Sequence, residues 1–312
     1  MRRPSIVLVV ASLLAAGPIT SGAAIAQQAS GLAQYVAPEA PPAFDQPAQA
    51  VDSFKTALQG NDFDGLAKLL GLDPAKLKTS EGAEDTFAKM REGAAKQLAV
   101  EDNGNQRILE LGDEQWPVPF PLARQEDGKW AFDTNAGIQE ILARRIGENE
   151  TEAISTAQAY VDAQNDYASA DHDGDGVLEY AQKLISTPGN TDGLYWPAEQ
   201  GDGESPAGAI PDSAQLEKAK AGGGYFGYRF RILPGQGANV AGGQYDYVIN
   251  GNMIAGYGLI ATPVTYGETG INTFVVSKDG IIYKADLGPD TTAKAAAIRR
   301  FNPGDDWEIV PD

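Results

Sequence analysis

Asp171, Asp173 and Asp175 stand two apart, Gly176 follows them, and Glu179 closes a nine-residue run that also holds His172. Counted from Asp171, oxygen donors fall at positions one, three, five and nine with glycine at six, the ligand order of a calcium loop of the EF-hand kind. The Val177 carbonyl takes the seventh position. Gln182 takes the twelfth, where a bidentate glutamate belongs, so the spacing predicts weak calcium binding suited to extracellular levels of the ion. The alternative is an Asp-rich turn whose carboxylates cap a helix leaving from about Leu178.

Two further groups could bind something. Arg229 and Arg231 share one face of the strand-like "YRFRIL" and could clamp an anion, although in so acidic a chain arginines commonly neutralise nearby carboxylates. Tyr195 and Trp196, in the Gly/Pro/acidic stretch from Thr187 to Pro211, could stack on a sugar or a peptide; a loop aromatic equally serves as an anchor to the core. The glycine-rich "GGGYFG" and "LPGQG" lack the spacing of a phosphate-binding loop and read as turns.

The inventory narrows the chemistry. With His172 the single histidine and no cysteine, a Ser-His-Asp triad has one possible ring, thiol catalysis is excluded, and an ordinary His/Cys zinc site cannot be built. Any catalysis must use carboxylates, Lys, Ser or Tyr. The formal charge of −19 opposes binding to nucleic acid and to acidic headgroups and favours cations.

The elements that must position these residues begin after a secretory signal. Arg2 and Arg3, the apolar run Ile6–Gly17 and the small-x-small site ending at Ala26 predict cleavage before Gln27 and export to the periplasm or medium. The run is too short to span a bilayer comfortably and no second one follows, so an integral membrane protein is not expected. Residues 27–46 are rich in Ala, Pro and Gln and read as a flexible tether.

A first domain, 47–147, then combines three helical stripes (Val51, Phe54, Leu58; Phe63, Leu66, Leu69, Leu70; Phe87, Met90, Ala94, Leu98) with a short meander. The meander uses Ile108–Leu111, the alternation Trp116, Val118, Phe120, Leu122, and Trp130 with Phe132. Pro117, Pro119 and Pro121 remove donors from the middle strand and confine it to an edge or to polyproline geometry. A helix through Ile138, Ile141 and Leu142 should stop at Gly147, and Asn149 with Glu152 reads as a capping box opening the next helix and a second domain, 148–312. There a long helix is expected to pack on antiparallel strands from "YRFRIL", "YGLIATPV" and "TFVVSKDGIIYK", the last with an Asp279-Gly280 turn, and a helix over Asp290–Phe301 ends the fold. The fold class is α+β.

The segments "DEQWPVPFPLAR", "DGKWAFDT", "EILARRIGENE", "DGDGVLEYAQK", "DGLYWP", "GYRFRILPGQG" and "TFVVSKDGIIYKADLGPDT" resemble the bacterial domain of unknown function 2950, over nearly the whole chain after the signal. This resemblance implies identity without an activity. The second half is also similar, in its order of long helix, acidic loop and strands, to the globular domain of pilin-like secretion proteins, some of which bind calcium in a loop; the apolar first half of the pilin helix is missing here.

Signal, inventory and acidic loop together point to an exported envelope protein that binds a partner protein or a glycan without catalysis, its interaction surface formed by the second-domain sheet and the Tyr195-Trp196 loop. The alternative is a carboxylate-based hydrolase acting on envelope polysaccharide, which needs two acids across a groove.

Overall fold

One helix runs through both halves of the chain. The computed structural model describes residues 30–80, 82–172, 174–197, 203–208 and 213–311. Within them α1 is Ser30–Ala33, α2 Pro47–Gln59, α3 Phe63–Leu69, α4 Pro74–Leu77, α5 Ala83–Lys96 and α6 Thr134–Tyr167, the long helix. The α+β expectation holds: helices gather around two separate antiparallel sheets.

The first sheet contains β1 (Leu98–Asn103), β2 (Gln106–Leu111), β4 (Leu122–Arg124) and β5 (Trp130–Phe132), with the two-residue β3 (Trp116–Pro117) paired only to β2. The prolines cut the expected middle strand down to that fragment, as their missing donors require. Phe54, Leu58, Leu66, Phe87, Leu109, Leu122, Phe132 and Ile138 form the core between sheet and helices. Each comes from a stripe or an alternation visible in the sequence, since burial of these faces is what holds marginal local elements in place.

The tether is not free where it is described. Val36 bridges Leu72, and Phe44 exchanges two backbone hydrogen bonds with Trp130, 2.8 and 2.7 Å, thereby covering the open edge of β5. An edge strand with unmet backbone groups gains from such a cover.

Gly147 does not end a helix. α6 passes through it, Thr151 Oγ donates to its carbonyl at 2.8 Å, and Asn149 lies inside the helix. The Asn149 side chain instead donates to Thr269 O at 2.9 Å, and Glu150 accepts from the backbone amides of Ile271 and Asn272 at 2.8 and 2.9 Å. Asn149, read as the cap of a new helix with Glu152, is thus turned, together with Glu150, to a loop more than a hundred residues away. Between Leu142 and Ala153 no side chain of α6 is fully buried, so the two cores meet the helix at separate stretches.

The second sheet orders β14 (Glu308–Ile309), β13 (Ile282–Asp286), β12 (Asn272–Ser277), β11 (Gly258–Pro263) and β6 (Tyr228–Leu233), every pair antiparallel. Its one face takes Ala153, Ala157, Tyr160, Ala163 and Tyr167 of α6 against Leu259, Phe274 and Val276. Small residues on the helix allow that close approach. The other face packs Ile260 and Val275 on α8 (Thr291–Ala297) and Phe301. α8 stops earlier than the expected Phe301, which pairs with Gln236 as an isolated bridge. The remaining pieces are α7 (Ser213–Lys218), a π turn at Ala219–Gly223, and the short pairs β7 (Gly235–Gln236) with β8 (Tyr245–Asp246) and β9 (Val248–Ile249) with β10 (Asn252–Met253).

Candidate functional site

Where α1, α3, α5 and α6 converge, their apolar stripes do not close completely. They leave a groove of about 460 Å³ walled by residues including Leu32, Phe63, Leu77, Phe87, Met90 and Ile141. Phe120 forms part of its floor and depends on Gly137: a Cβ there would lie 2.0 Å from the ring. Phe63 meets Phe87 edge-on with centroids 5.4 Å apart, which stiffens the wall. Thr86 donates its hydroxyl to Gly82 O at 2.9 Å and so presents no free donor.

Charge enters on α6. Trp116 is 40% exposed, and the Arg144 guanidinium lies 5.3 Å from its ring centroid while Arg144 Nε donates to Glu140 at 2.8 Å. Arg145 and Glu148 also line the groove. A concave apolar wall with a few polar groups at one end is the usual form of a small-ligand site.

The acidic loop lies elsewhere, beside β9 and β10. Asp171 accepts from the amides of Gly174 and Gly176 at 2.8 and 2.9 Å, and both glycines have left-handed backbone, φ 78° and 85°. Asp175 accepts from Val177 N at 2.7 Å and, through its other oxygen, from Asn252 Nδ2 at 2.7 Å. Glu179 accepts from Met253 N at 2.9 Å, and Gln182 Nε2 donates to Gly251 O at 2.6 Å.

No helix leaves from Leu178. Tyr180 pairs with Met253 as a β-bridge, so neither the second helix of an EF-hand nor a capped exit helix is present. The carboxylates fasten the loop to the β9–β10 hairpin. Asp173 lies outside the described residues, and among those described no three acidic or histidine side chains converge on one metal position.

Residues 42–310, which carry both the groove and the loop, match the family described as Protein of unknown function (DUF2950). The chain belongs to this family. No curated protein and no solved structure matches it, so the expected likeness to the pilin globular domain is not shown. No described helix of this DUF2950 protein is long and apolar enough to cross a membrane.

The other residues singled out in the DUF2950 chain are occupied structurally. Trp196 is 4% exposed in the second core and donates to Gly203 O at 3.4 Å; it is an anchor, not a surface platform. Tyr195 is half-buried and holds Leu184 and Ser186 through its backbone. Arg231 donates to the carbonyls of Ala295 and Ile298 at 2.9 and 2.8 Å, capping α8, and its pKa is lowered by burial and by nearby Arg299. Arg229, exposed, reaches Gly222 O at 3.3 Å. The two arginines do share a face, yet they serve different elements. Ala26 and Gln27 lie outside the described residues.

Sequence reasoning passed over the groove. Phe63, Phe87, Met90 and Ile141 were legible only as core stripes, and Trp116 as one position of an interrupted strand. The adjacent Arg144 and Arg145 between apolar Leu142 and Ile146 were the one local signal.

Proposed function

We propose that this DUF2950 protein is exported and works by binding, with the groove between its first-domain helices and α6 as the ligand site. The observation that carries this reading is the groove itself, an apolar trough of about 460 Å³ with an exposed tryptophan and two guanidinium groups at its rim. Its volume lies within the ~300–1,000 Å³ of small-molecule sites. Glu148 is the one carboxylate among the described residues lining it, whereas glycoside hydrolysis uses two acids across the substrate.

Calcium belongs to the proposal as a weak ligand of the acidic loop, supported by the left-handed Gly176 at the sixth position and by the inward-drawn Asp171 carboxylate. Those carboxylates already accept backbone amides, so a cation must share them, and binding in the millimolar range is expected.

The deciding experiment titrates the purified mature protein with a neutral apolar fluorophore and follows both probe emission and tryptophan emission. Saturable binding that Phe63→Asp or Met90→Asp abolishes supports the groove. Absence of saturable binding overturns it.

A further inference from the structure

We infer that the groove takes a long-chain monocarboxylate, with its hydrocarbon chain between α3, α5 and α6 and its head at Arg144 and Arg145. This rests on the binding role proposed above and names the ligand. A groove of about 460 Å³ suits one flexible chain. A stable protein partner would need roughly 800 Å² on each side, a far more extended surface.

The walls discriminate next. Leu77, Phe87, Met90 and Ile141 offer no hydrogen bond, and Thr86 has turned its hydroxyl to Gly82 O at 2.9 Å, so that Tyr35 and Ser80 carry the other hydroxyls of the lining. A polar ligand body would lose its water over most of this wall without replacement. An alkyl chain loses nothing, and the thioether of Met90 adapts to its shape.

The rim then selects the head. Arg144 uses Nε on Glu140, 2.8 Å, and lays its guanidinium against Trp116, which leaves its terminal nitrogens directed to solvent or ligand. Arg145 is exposed and makes no hydrogen bond or ion pair among the described residues. Both arginines line the groove, and the planar fork of a guanidinium matches a carboxylate. Glu148 follows Arg144 by one helical turn, and its charge works against a second negative charge on the ligand, so one carboxylate is favoured over a phosphate head.

The test compares palmitate, cetyl alcohol, cetyltrimethylammonium and lysophosphatidate, all below their micelle concentrations, by calorimetry with the mature protein. Palmitate should bind about tenfold more tightly than the alcohol, the size of one charge-assisted contact. Arg145→Gln should bring the palmitate-to-alcohol ratio close to one, and Glu148→Gln should raise it, with circular dichroism confirming that both variants fold. Equal affinity for palmitate and alcohol overturns the carboxylate while leaving groove binding intact. Preference for the ammonium or for lysophosphatidate overturns the choice of head. Failure of all four to bind removes both this inference and the binding role on which it rests.

Discussion

The side-chain amide of Gln164 pairs with the backbone of Ala181 as one strand residue pairs with another: it accepts from Ala181 N at 2.8 Å and donates to Ala181 O at 2.9 Å. Gln164 is 0% exposed and also donates to Tyr160 Oη, 3.0 Å, which in turn reaches Gly258 O. One residue thus joins α6, the segment after the acidic loop and β11. Gln164→Ala leaves both Ala181 groups buried without partners, and a loss of about 2–4 kcal/mol in denaturant unfolding is expected. The loop before Ala181 should also become more open to proteolysis. An unchanged midpoint would remove this link from the account.

Two glycines of α6 should answer oppositely to alanine. At Gly137 the new Cβ would fall 2.0 Å from the Phe120 ring, and overpacking should cost about 1–3 kcal/mol. At Gly147 nothing lies within 4 Å, so alanine should stabilise by about 0.5–1 kcal/mol through helix propensity. Thermal melts of both variants check the continuous helix directly. A helix broken at Gly147 would make that alanine destabilising.

Alkaline pH should unfold the protein through its tyrosines. Burial first, and then neighbouring hydroxyls and carboxylates, pushes Tyr257 up to about 12 from its ordinary 10.0 and raises Tyr160, Tyr228 and Tyr247 further. Because the folded state holds these protons more tightly than the unfolded chain, their stabilising contribution is complete below pH 10 and declines as pH rises toward the folded values. The melting temperature should fall above pH 10, and less steeply in Tyr257→Phe. A parallel decline in the two proteins would show that Tyr257 is not part of it.

Millimolar calcium, close to the expected Kd, should raise the melting temperature modestly by the linkage relation, about 0.4 kcal/mol where its concentration equals Kd and about 1.4 kcal/mol at a tenfold excess, and magnesium should do less because it dehydrates reluctantly. Asp171→Asn should remove most of the effect. It also weakens the turn that Asp171 makes with Gly174 and Gly176, so its chelator-treated melt must be compared separately. Identical curves for the wild type with calcium and with chelator would end the calcium reading.

Lys183 holds Asp192 beside it. Burial opposes the charged form of Asp192, yet its hydrogen bonds to Lys183 and Thr187 prevail and keep its carboxyl below the ordinary 3.8. Stability from this contact is full above pH 3.8 and is lost as pH falls through the lower folded value. Asp192→Asn should flatten the acid limb of a stability profile. With a third of its side chain exposed, the effect at neutral pH should be slight.

Residue order alone determined the elements whose signals are local. The hairpin of β12 and β13 was legible because Asp279-Gly280 separates two alternating runs, and the α2, α3 and α5 stripes because a helix buries one face whatever it packs on. The prolines beside Trp116 announced an edge for the same reason: a missing donor acts where it stands.

Tertiary structure decided everything that depends on a distant partner. Asn149 could cap a helix or reach Thr269, and Glu179 could start a helix or accept from Met253; in both cases the remote backbone group won, because a buried donor or acceptor left unpaired costs more than a cap contributes. Trp196 went to the core by the same logic of area, since burying an indole outweighs leaving it on a loop. The groove has no sequence of its own. It is the space left where stripes from α1, α3, α5 and α6 fail to interlock, and only packing in three dimensions creates it.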